Sequence, residues 1–497
     1  MPKILLIKVG HKTARQKFGQ PLGIMYLAGY LRKFMPDAEI ELIDMLPQGL
    51  SVSDLVKRVG DFSPDLLGIS ALSFESRELH ELAALSKKSN PKTPVIAGGP
   101  YVTTATSTAF ADPNLDFVAR CEGEQTLLEL CNYLFKGKGT LNEIPGLGFR
   151  ENGNPRLNPD RPFLEDLDAL PFPAWDLIKV EKYFDLPRFG TTYVHKEYMS
   201  VMTSRGCPFK CTYCHRVFGV GFRPRSPQNV IDELEVLQKN FGVREIFFVD
   251  DCFNCKLSRA KEICDLIQKR GLKFSITFPN GLRGDIMDEE LLDKLKSAGT
   301  YRITYAVETA SERLQKFLKK NLNLEKVRSV IELTDRKNIL VDAFFMVGFP
   351  GETRAEVSQT LEFALSSKLH SMNIWFVTPF EGTELHEQAK ELGYKPGSNP
   401  SGSPVDLGTR NEKSAFVPQG GTTADKREMD IDKYTYFYPE TTLSEVPPDE
   451  LQKLTQKTFL KFYLNPWRLW RILRLFPNKA QLPYLLWLFI KYSLKWS

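Results

Sequence analysis

The chain has 497 residues, of which 42% are hydrophobic and 26% are charged, as in an ordinary soluble protein. This length allows two or three domains with separate cores, and it argues against a small scaffold held together by disulfides. Residues 451–497 hold nine of the 66 Lys and Arg and none of the 61 Asp and Glu, so the other 450 residues carry a net charge of −4. The total of +5 therefore does not indicate a nucleic-acid-binding protein. Because Lys3–Val9 has the pattern of a strand rather than of a targeting segment, we expect a cytoplasmic protein.

Residues 1–135 alternate short apolar runs with helical patterns. The predicted strands are Ile4–Val9, Glu39–Ile43, Leu66–Ser70, Val95–Ala97 and Asp116–Val118, and the predicted helices include Leu22–Phe34, Glu75–Ser89 and Gln125–Phe135. This alternation predicts an α/β fold with a doubly wound parallel sheet. In such a sheet, a ligand binds outside the carboxyl ends of the strands.

Four short elements follow one another in this region. They are Gln20-Pro-Leu-Gly-Ile-Met, Gly68-Ile-Ser-Ala-Leu-Ser, Gly98-Gly-Pro and Glu122-Gly-Glu-Gln-Thr. In order and spacing they resemble the Rossmann-like cobalamin-binding domain that often precedes a radical S-adenosylmethionine (SAM) domain, here over residues 1–140. The resemblance implies that small residues after successive strands let cobalamin approach the backbone. The residues that it assigns to cofactor binding are Ser70, Leu72, Gly98, Gly99 and Glu122.

The first loop departs from this pattern. The Asp-x-His-x-x-Gly element, whose histidine ligates cobalt, is missing, and His11 is expected to be a solvated loop residue. Two alternatives stay open: cobalamin binds without a protein histidine, or the domain has lost the cofactor.

Residues 141–194 are predicted to be a connector. Phe163–Ile178 is rich in acidic residues and proline, and it is similar to the segment between the two domains of the same family. We expect an extended strap that packs on both domains.

Three cysteines form the motif Cys207-Pro-Phe-Lys-Cys211-Thr-Tyr-Cys214. An iron–sulfur cube needs four ligands, so three thiolates leave one iron open. A structural zinc site would need a fourth ligand, for which the adjacent His215 is poorly placed. The spacing resembles the signature of the radical SAM enzymes. It implies that these cysteines hold a [4Fe-4S] cluster, whose open iron binds SAM and whose electron cleaves it to a 5'-deoxyadenosyl radical.

Six strands are predicted from residue 198 onward, most of them followed by a helix. They are Tyr198–Thr203, Glu245–Asp250, Lys273–Pro279, Arg302–Val307, Val341–Val347 and Met372–Thr378. Six such units suit the (β/α)6 partial TIM barrel that the resemblance implies for residues 195–385. By analogy with complete barrels, reactive groups are expected at the carboxyl ends of the strands.

Three further residues are assigned to SAM binding by the resemblance. Tyr213 is expected beside the cluster and the adenine, and Asp250 and Asp251 beside the amino group of SAM, where a carboxylate complements the positive charge. The alternative for the two acids is a helix N-cap and a solvated neighbour.

Two later turns complete the predicted SAM site. Glu308 ends the fourth strand in a turn that resembles the family's contact with the ribose or the aminocarboxylate of SAM. Gly348 and Gly351 lie in a Gly-x-Pro-Gly-Glu-Thr turn, which implies close approach of the adenine to the backbone. The alternative for Glu352 is that it starts the next helix.

The remaining cysteines are predicted to be packing residues rather than ligands. They are Cys121, Cys131, Cys252, Cys255 and Cys264. A methylthiotransferase is disfavoured, because that family carries a further cysteine trio near the N-terminus.

Residues 386–497 are predicted to form a C-terminal extension, with a substrate-capping region or a mobile loop over 386–450. Arg468, Arg471 and Arg474 follow at helical spacing among Trp and Leu, and an apolar run after Pro483 is too short to span a bilayer. Two alternatives stay open. One is a helix lying in the membrane interface, and the other is a closing helix packed on the barrel with solvated arginines.

The resemblance implies a cobalamin-dependent radical SAM methyltransferase that methylates an unactivated carbon of a small molecule. A membrane-surface location at the inner face of the membrane would suggest an apolar, lipid-like substrate, and a flavodoxin or ferredoxin is the expected electron donor. The alternatives are radical cyclisation, oxidation or rearrangement without methyl transfer. A non-catalytic cobalamin-binding sensor is the alternative outside the enzymes.

Overall fold

The computed structural model describes residues 1–11, 17, 19–190, 192–392, 442–483, 486 and 487. The N-terminal sheet consists of β1 Lys3–Lys8, β2 Glu39–Asp44, β3 Leu66–Ser70, β4 Val95–Gly98, β5 Phe117–Ala119, β6 Leu147–Glu151 and β7 Asn154–Leu157. Its order is β2-β1-β3-β4-β5-β6-β7, with β1 to β5 parallel and the last two strands antiparallel. The predicted doubly wound, Rossmann-like sheet is therefore confirmed, with two additional strands at one edge.

Helices cover both faces of this sheet. They are α1 Leu22–Phe34, α2 Val52–Phe62, α3 Ser76–Ser89, α4 Pro100–Thr104, α5 Thr106–Phe110 and α6 Glu124–Lys136. In β1, Ile4 and Leu6 belong to the core on the side of α1 and α6, whereas Leu5 and Ile7 belong to the core on the side of α2 and α3. Successive side chains of a strand point to opposite faces, so a continuous apolar run buries both.

The second domain is the predicted partial barrel. Its strands are β8 Tyr198–Val201, β9 Ser204–Arg205, β10 Arg223–Pro224, β11 Glu245–Phe248, β12 Ser275–Leu282, β13 Thr300–Glu308, β14 Leu340–Val347 and β15 Ser371–Phe376. Six of them form one parallel sheet in the order β8-β11-β12-β13-β14-β15, and the short β9 and β10 pair antiparallel. The helices of this domain are α7 Pro227–Phe241, α8 Leu257–Lys269, α9 Glu289–Ser297, α10 Glu312–Phe317, α11 Leu324–Arg336, α12 Arg354–Ser366 and α13 Glu384–Glu391.

Both edges of the open barrel are covered. At β8, the Gln20 side chain donates to the Tyr198 carbonyl (3.3 Å) and accepts from the Ser200 amide (2.9 Å). At β15, the Met372 amide donates to the Tyr463 hydroxyl (3.3 Å). An uncovered edge strand presents unpaired backbone groups, so these contacts bind the N-terminal domain and the C-terminal extension to the barrel.

The connector contacts both domains. Residues 147–157, which fall within the predicted connector, form β6 and β7. Further along, the Trp175 indole donates to the buried Glu233 carboxylate of α7 (3.0 Å), and the Tyr183 hydroxyl donates to Asp44 at the end of β2 (2.6 Å). Burial raises the pKa of Asp44 to about 6.

The C-terminal extension contains α14 Pro448–Tyr463 and α15 Pro466–Leu475. Val446 and Leu451 pack against Val347, Val357 and Phe376 of the barrel. Most of the predicted substrate-capping region, residues 393–441, lies outside the described residues. Among the helices that the structure describes, none is long and apolar enough to cross a membrane.

Candidate active site

The three-cysteine motif lies in the loop between β9 and β10, next to the carboxyl end of β8. Cys207, Cys211 and Cys214 are free thiols. The loop starts at Gly206, whose φ is +79° and where a Cβ would lie 2.1 Å from the Gly221 carbonyl oxygen, so only glycine fits there. This close approach brings the two ends of the loop together and makes the cysteines neighbours.

Two predicted acids position this loop. One carboxylate oxygen of Asp250 accepts from the Thr203 amide (3.0 Å) and the Ser204 hydroxyl (2.5 Å), and Asp251 accepts from the Gly206 amide (3.0 Å). Asp250 is buried, and burial raises its pKa. These contacts set the start of the cysteine loop, the other carboxylate oxygen of Asp250 is buried without a hydrogen-bond partner among the described residues, and its contact with SAM stays a prediction. Asp251 is exposed at the carboxyl edge, and its contact with SAM stays a prediction.

Two cations that the sequence did not single out lie beside the cysteines. The hydrogen bond from Cys214 and the positive charge of Lys320 lower the pKa of Cys211 to about 6, with a further contribution from Arg283. The Arg283 guanidinium stacks 3.8 Å from the ring centroid of Phe209 and donates to the Lys320 carbonyl (2.9 Å). A thiolate rather than a thiol ligates metal, so this environment favours the ligating form of Cys211. Burial raises the pKa of Cys207, and the hydrogen bond with Cys211 raises the pKa of Cys214.

Glu308 ends β13 in a strained conformation. Its φ is +66°, at an irregularity in the register between β13 and β14, and its side chain is buried. Lys320 lies 3.4 Å from its carboxylate and 6.0 Å from the ring centroid of Tyr213. Strain of this kind gathers at functional sites. The structure therefore brings Glu308, Tyr213 and the cysteine loop together around Lys320.

The residues assigned to the N-terminal cofactor site share the carboxyl edge of its sheet. Ser70 of β3 and Gly98 of β4 are paired in register, and the Leu72 amide donates to the Glu75 carboxylate (2.7 Å) just beyond β3. Gly99 has φ of +90°, and a Cβ there would lie 2.7 Å from the Ser70 hydroxyl oxygen. These positions place Ser70, Leu72, Gly98 and Gly99 at one edge, where small residues keep the backbone accessible.

Glu122 has a different environment from the one predicted. Its carboxylate accepts from Arg205 (3.0 Å), from Arg223 (2.8 Å) and from the Leu164 amide (2.8 Å), while Arg205 also pairs with Glu124 (2.6 Å). All four charged side chains are buried. Glu122 joins the N-terminal domain to the residue that precedes the cysteine loop, and its contact with a cofactor stays a prediction.

The carboxyl edges of the two sheets therefore meet. A second contact lies beyond β15, where the Thr108 hydroxyl donates to Glu381 (3.2 Å). At the neighbouring Gly382, with φ of +84°, a Cβ would lie 2.6 Å from the Thr104 carbonyl oxygen. Both predicted cofactor sites therefore lie at edges that are in contact with each other.

Comparison with known families agrees with this arrangement. Residues 201–364 match the radical SAM superfamily, and residues 12–131 match the B12 binding domain. The chain is 32% identical to an uncharacterized methyltransferase of Pyrococcus horikoshii over 93% of both proteins. It belongs to the cobalamin-dependent radical SAM enzymes.

Two further similarities describe the breadth of this family. The cytidylyl-2-hydroxyethylphosphonate methyltransferase of Streptomyces wedmorensis is 29% identical over 75% of this chain and 78% of its own length. The solved structure of the radical SAM methyltransferase TsrM from Kitasatospora setae, with cobalamin and a [4Fe-4S] cluster bound, superimposes with a TM-score of 0.64 at 20% identity. The superposition covers 81% of this chain and 82% of that one, and it shows a shared fold.

The cofactors of this radical SAM enzyme are the [4Fe-4S] cluster, SAM and cobalamin, and the cysteine loop suits the cluster. Three free thiols on one loop beside two cations match the donor set and the charge of such a cluster. Within the described ranges, no trio of His, Cys, Asp or Glu is gathered closely enough to hold a single metal ion. A cube of four irons is larger than one ion and holds its thiolates farther apart.

The cobalamin edge also contains His11, which we expected to be solvated. The structure corrects this expectation, because His11 is largely buried and its Nδ1 lies 2.7 Å from the Glu78 carboxylate. At Gly98 a Cβ would have its nearest neighbour 3.6 Å away, whereas at Gly99 it would meet Ser70 and Ala71 within 3.0 Å, and the contacts of Ser70, Gly98 and Gly99 with cobalamin stay predictions.

The Gly348–Glu352 turn faces the C-terminal extension. Gly348 has φ of +96°, and a Cβ there would lie 3.3 Å from the Thr442 hydroxyl oxygen and 3.4 Å from Leu451. That side of Gly348 is therefore covered by protein rather than open to an adenine. At Gly351 a Cβ would meet nothing within 4 Å, and its contact with the adenine stays a prediction.

The predicted packing role is wrong for one cysteine pair. Cys252 and Cys255 form a disulfide in the turn after β11. Asn254 lies inside this turn and donates to the Arg283 carbonyl (2.8 Å). Because the Arg283 guanidinium stacks on Phe209, these contacts link the disulfide turn to the cysteine loop. Cys131 and Cys264 are buried in the cores, as expected, while Cys121 is partly exposed.

We expect the buried Glu352 to make the stability of this enzyme depend on pH. Burial raises the pKa of Glu352 to about 7 from 4.5, so the folded chain keeps a proton that the unfolded chain releases. Stability therefore falls as the pH rises from about 4.5 to about 7. Glu352→Gln should raise the free energy of unfolding by up to about 3 kcal/mol at about pH 8 and by much less at about pH 5. Urea unfolding at both pH values measures this difference.

Glu356 is the matched control in the same segment. The Arg313 guanidinium lowers the pKa of Glu356 to about 2, so its contribution to stability is present above about pH 4.5 and is lost as the pH falls toward 2. Glu356→Gln should therefore lower the free energy of unfolding at about pH 8, by about 1 kcal/mol. Equal effects of Glu352→Gln at the two pH values would contradict the assignment.

Proposed function

We propose that this enzyme transfers a methyl group from SAM to an unactivated carbon of a small-molecule substrate. The observation that carries the proposal is the meeting of the two carboxyl edges at Arg205 with Glu122 and at Gly382 with Thr104. Transfer of one group between two cofactors requires their sites to share a space from which bulk water is displaced. The relatives named as methyltransferases support the same reaction class.

The residues of the chain have separate tasks in this proposal. Cys207, Cys211 and Cys214 hold the cluster, and Lys320 and Arg283 balance its negative charge. When bound, the cluster supplies the electron that cleaves SAM to a 5'-deoxyadenosyl radical, and cobalamin carries the methyl group. Six charged residues hold the cysteine loop in position next to the carboxyl edge of the N-terminal sheet. They are Asp250, Asp251, Glu122, Glu124, Arg205 and Arg223.

The substrate class and the partners are part of the proposal. We infer an apolar, lipid-like substrate and peripheral contact with the inner face of a membrane from the exposed Trp467 and Trp470 of the C-terminal extension. A flavodoxin or ferredoxin is proposed as the electron donor, because the cluster must be reduced by one electron in each cycle.

Methyl-labelled SAM tests the proposed reaction. The anaerobically reconstituted enzyme is incubated with reductant, labelled SAM and separated lipid and aqueous extracts of cells. We expect 5'-deoxyadenosine to form and the label to appear in a lipid product. Formation of 5'-deoxyadenosine without transfer of label would contradict methyl transfer and would favour cyclisation, oxidation or rearrangement. Absence of SAM cleavage by the reduced enzyme would contradict any radical chemistry and favour a cobalamin-binding sensor.

A further inference from the structure

Helix α15 turns its apolar side chains outward. Trp467 is 79% exposed and Trp470 is 56% exposed, and between them Leu469 is 46% exposed. Leu464 and Leu473 extend this exposed strip along the helix. Monomeric proteins rarely leave large apolar side chains together at the surface unless the patch binds something. We call Leu464, Trp467, Leu469, Trp470 and Leu473 the tryptophan face.

Two of the three arginines of the same helix, Arg468 and Arg471, point inward, while the exposed Arg474 lies 5.3 Å from the ring centroid of Trp470. Arg468 is 6% exposed, lies 3.6 Å from the ring centroid of Phe462, and donates to the Leu365 (2.7 Å) and Ser367 (3.0 Å) carbonyls. Arg471 donates to the Lys368 carbonyl (2.6 Å) and pairs with Asp335 (2.8 Å). Leu365 lies in the last turn of α12 and Asp335 in the last turn of α11. Cations are stabilised at the C-terminal ends of helices, so both arginines occupy favourable positions.

These contacts differ from the second alternative taken from the sequence, the closing helix with solvated arginines. A closing helix would bury its Trp and Leu and expose its arginines, whereas this helix is attached to the barrel through its arginines. The orientation is set by Arg468, Arg471 and Arg474, the last of which donates to the Asn338 side chain (3.1 Å). Rotating α15 to bury the tryptophans would break all three contacts, so their exposure is a property of the fold.

The tryptophan face lies at the end of the barrel opposite the cysteines. Leu365–Lys368 precede β15 and Asp335–Asn338 precede β14, so α15 contacts the amino ends of these strands. Farther along, the Gln481 side chain donates to the Tyr193 carbonyl (3.0 Å), just before β8. The cysteine loop follows β8 at its carboxyl end. The extension therefore crosses the amino end of the barrel.

The segment that carries the tryptophan face is basic. Residues 451–497 contain nine Lys and Arg and no Asp or Glu. Among them, Lys457, Lys461 and Lys479 are exposed on α14 and just after α15. Aromatic and leucine side chains next to exposed lysines match a bilayer interface with anionic headgroups, because the rings enter the interface and the ammonium groups remain at the phosphates.

We propose that the amino end of the barrel docks on an anionic bilayer through the tryptophan face. This inference rests on the proposed membrane contact and adds the orientation of the barrel relative to the bilayer. Strands of six to nine residues (β13, β14 and β15) at ~3.3 Å per residue separate the two ends of the barrel by roughly 20–30 Å. The cysteine loop then faces away from the bilayer. An apolar substrate has to leave the lipid phase, in free form or on a carrier, before it reaches the site.

Vesicle sedimentation with the full-length enzyme tests the docking. We expect binding to vesicles that contain phosphatidylglycerol to exceed binding to pure phosphatidylcholine vesicles at least tenfold, and to weaken as salt screens the lysines. The Trp467→Ser/Trp470→Ser double variant should lose at least tenfold in binding. The matched control is Phe34→Ser/Leu157→Ser, which removes two exposed apolar side chains (45% and 42% exposed) from other surfaces and should bind like the parent. Equal iron content and thermal midpoint in both variants show that folding is retained.

Hydrogen exchange on the bound enzyme tests the orientation. Vesicles should slow exchange in α15 and leave the loop between β9 and β10 unchanged. Absence of binding to the anionic vesicles, or protection of the cysteine loop, would overturn the proposal. So would self-association that covers Trp467 and Trp470, which sedimentation without vesicles detects. None of these measurements requires SAM turnover, so a failure here is distinct from a failure of the methyl-transfer assay.

Discussion

Replacing any one of Cys207, Cys211 and Cys214 by alanine is expected to abolish SAM cleavage. A cube held by three thiolates loses a third of its protein ligands in each variant. The other described cysteines lie outside this loop, and we do not expect any of them to replace the missing ligand. We expect 5'-deoxyadenosine formation to fall by at least about 10³-fold, a loss of about 4 kcal/mol in transition-state stabilisation. Iron content, visible absorbance and chromatography of the nucleoside products after anaerobic purification measure the effect.

Other cysteines of the chain provide matched controls. Cys121→Ala removes a partly exposed thiol from the N-terminal domain, and the Cys252→Ala/Cys255→Ala double variant removes the disulfide beside the site. Both should keep the iron content of the parent. A Cys211→Ala variant that retained full iron and full SAM cleavage would show that another group holds the cluster, and the assignment of the loop would then fail.

The parts of the fold that the sequence predicted are those that depend on neighbours along the chain. The run Ile4–Val9 has the apolar pattern of a strand buried on both faces, and the three cysteines lie within eight residues of one another. Ser70 and Gly98 could be placed at one edge, because the ends of parallel strands meet there. Each of these inferences needs only local periodicity or the general rules of α/β sheets.

The parts that the sequence missed depend on distant partners. Glu122 and Arg205 are 83 residues apart, and nothing near either residue indicates that they pair. Lys320 lies in Leu318-Lys-Lys-Asn321, a run that has the composition of a solvated loop, yet it is buried beside Glu308. The spacing of Arg468 and Arg471 predicted a helix, but which face packs on the barrel was decided by carbonyls more than 100 residues away.

The second large effect is expected from the buried charges between the domains. Arg205 pairs with Glu122 and Glu124, and all three side chains are 4–7% exposed. Arg205→Met would leave two buried carboxylates near each other with one fewer cation. Removing one partner of a buried ion pair costs about 3–5 kcal/mol, so we expect the free energy of unfolding to fall by that amount. Denaturant unfolding, followed by both tryptophan fluorescence and circular dichroism, measures it.

An exposed ion pair between the N-terminal domain and the connector is the control. Arg32 pairs with Asp176 at 2.8 Å, but these side chains are 46% and 57% exposed, and Arg32→Met should therefore cost at most about 1 kcal/mol. Equal losses in the Arg205 and Arg32 variants would show that burial does not set the strength of the interdomain network.

Glu122→Gln separates the interdomain role of this residue from the predicted cofactor role. The amide keeps the shape of the side chain and removes the charge that Arg205 and Arg223 share. If Glu122 acts between the domains, the variant has a lower free energy of unfolding. The loss in the Glu122→Gln/Arg205→Met double variant is then smaller than the sum of the two single losses by about 1–3 kcal/mol. Cobalamin affinity, measured by absorbance titration, should then change less than about twofold, well under 1 kcal/mol. A tenfold loss of affinity at unchanged stability would instead return Glu122 to the cofactor site. The two outcomes differ because a network between the domains is part of the folding equilibrium, whereas a cofactor contact is made only on binding.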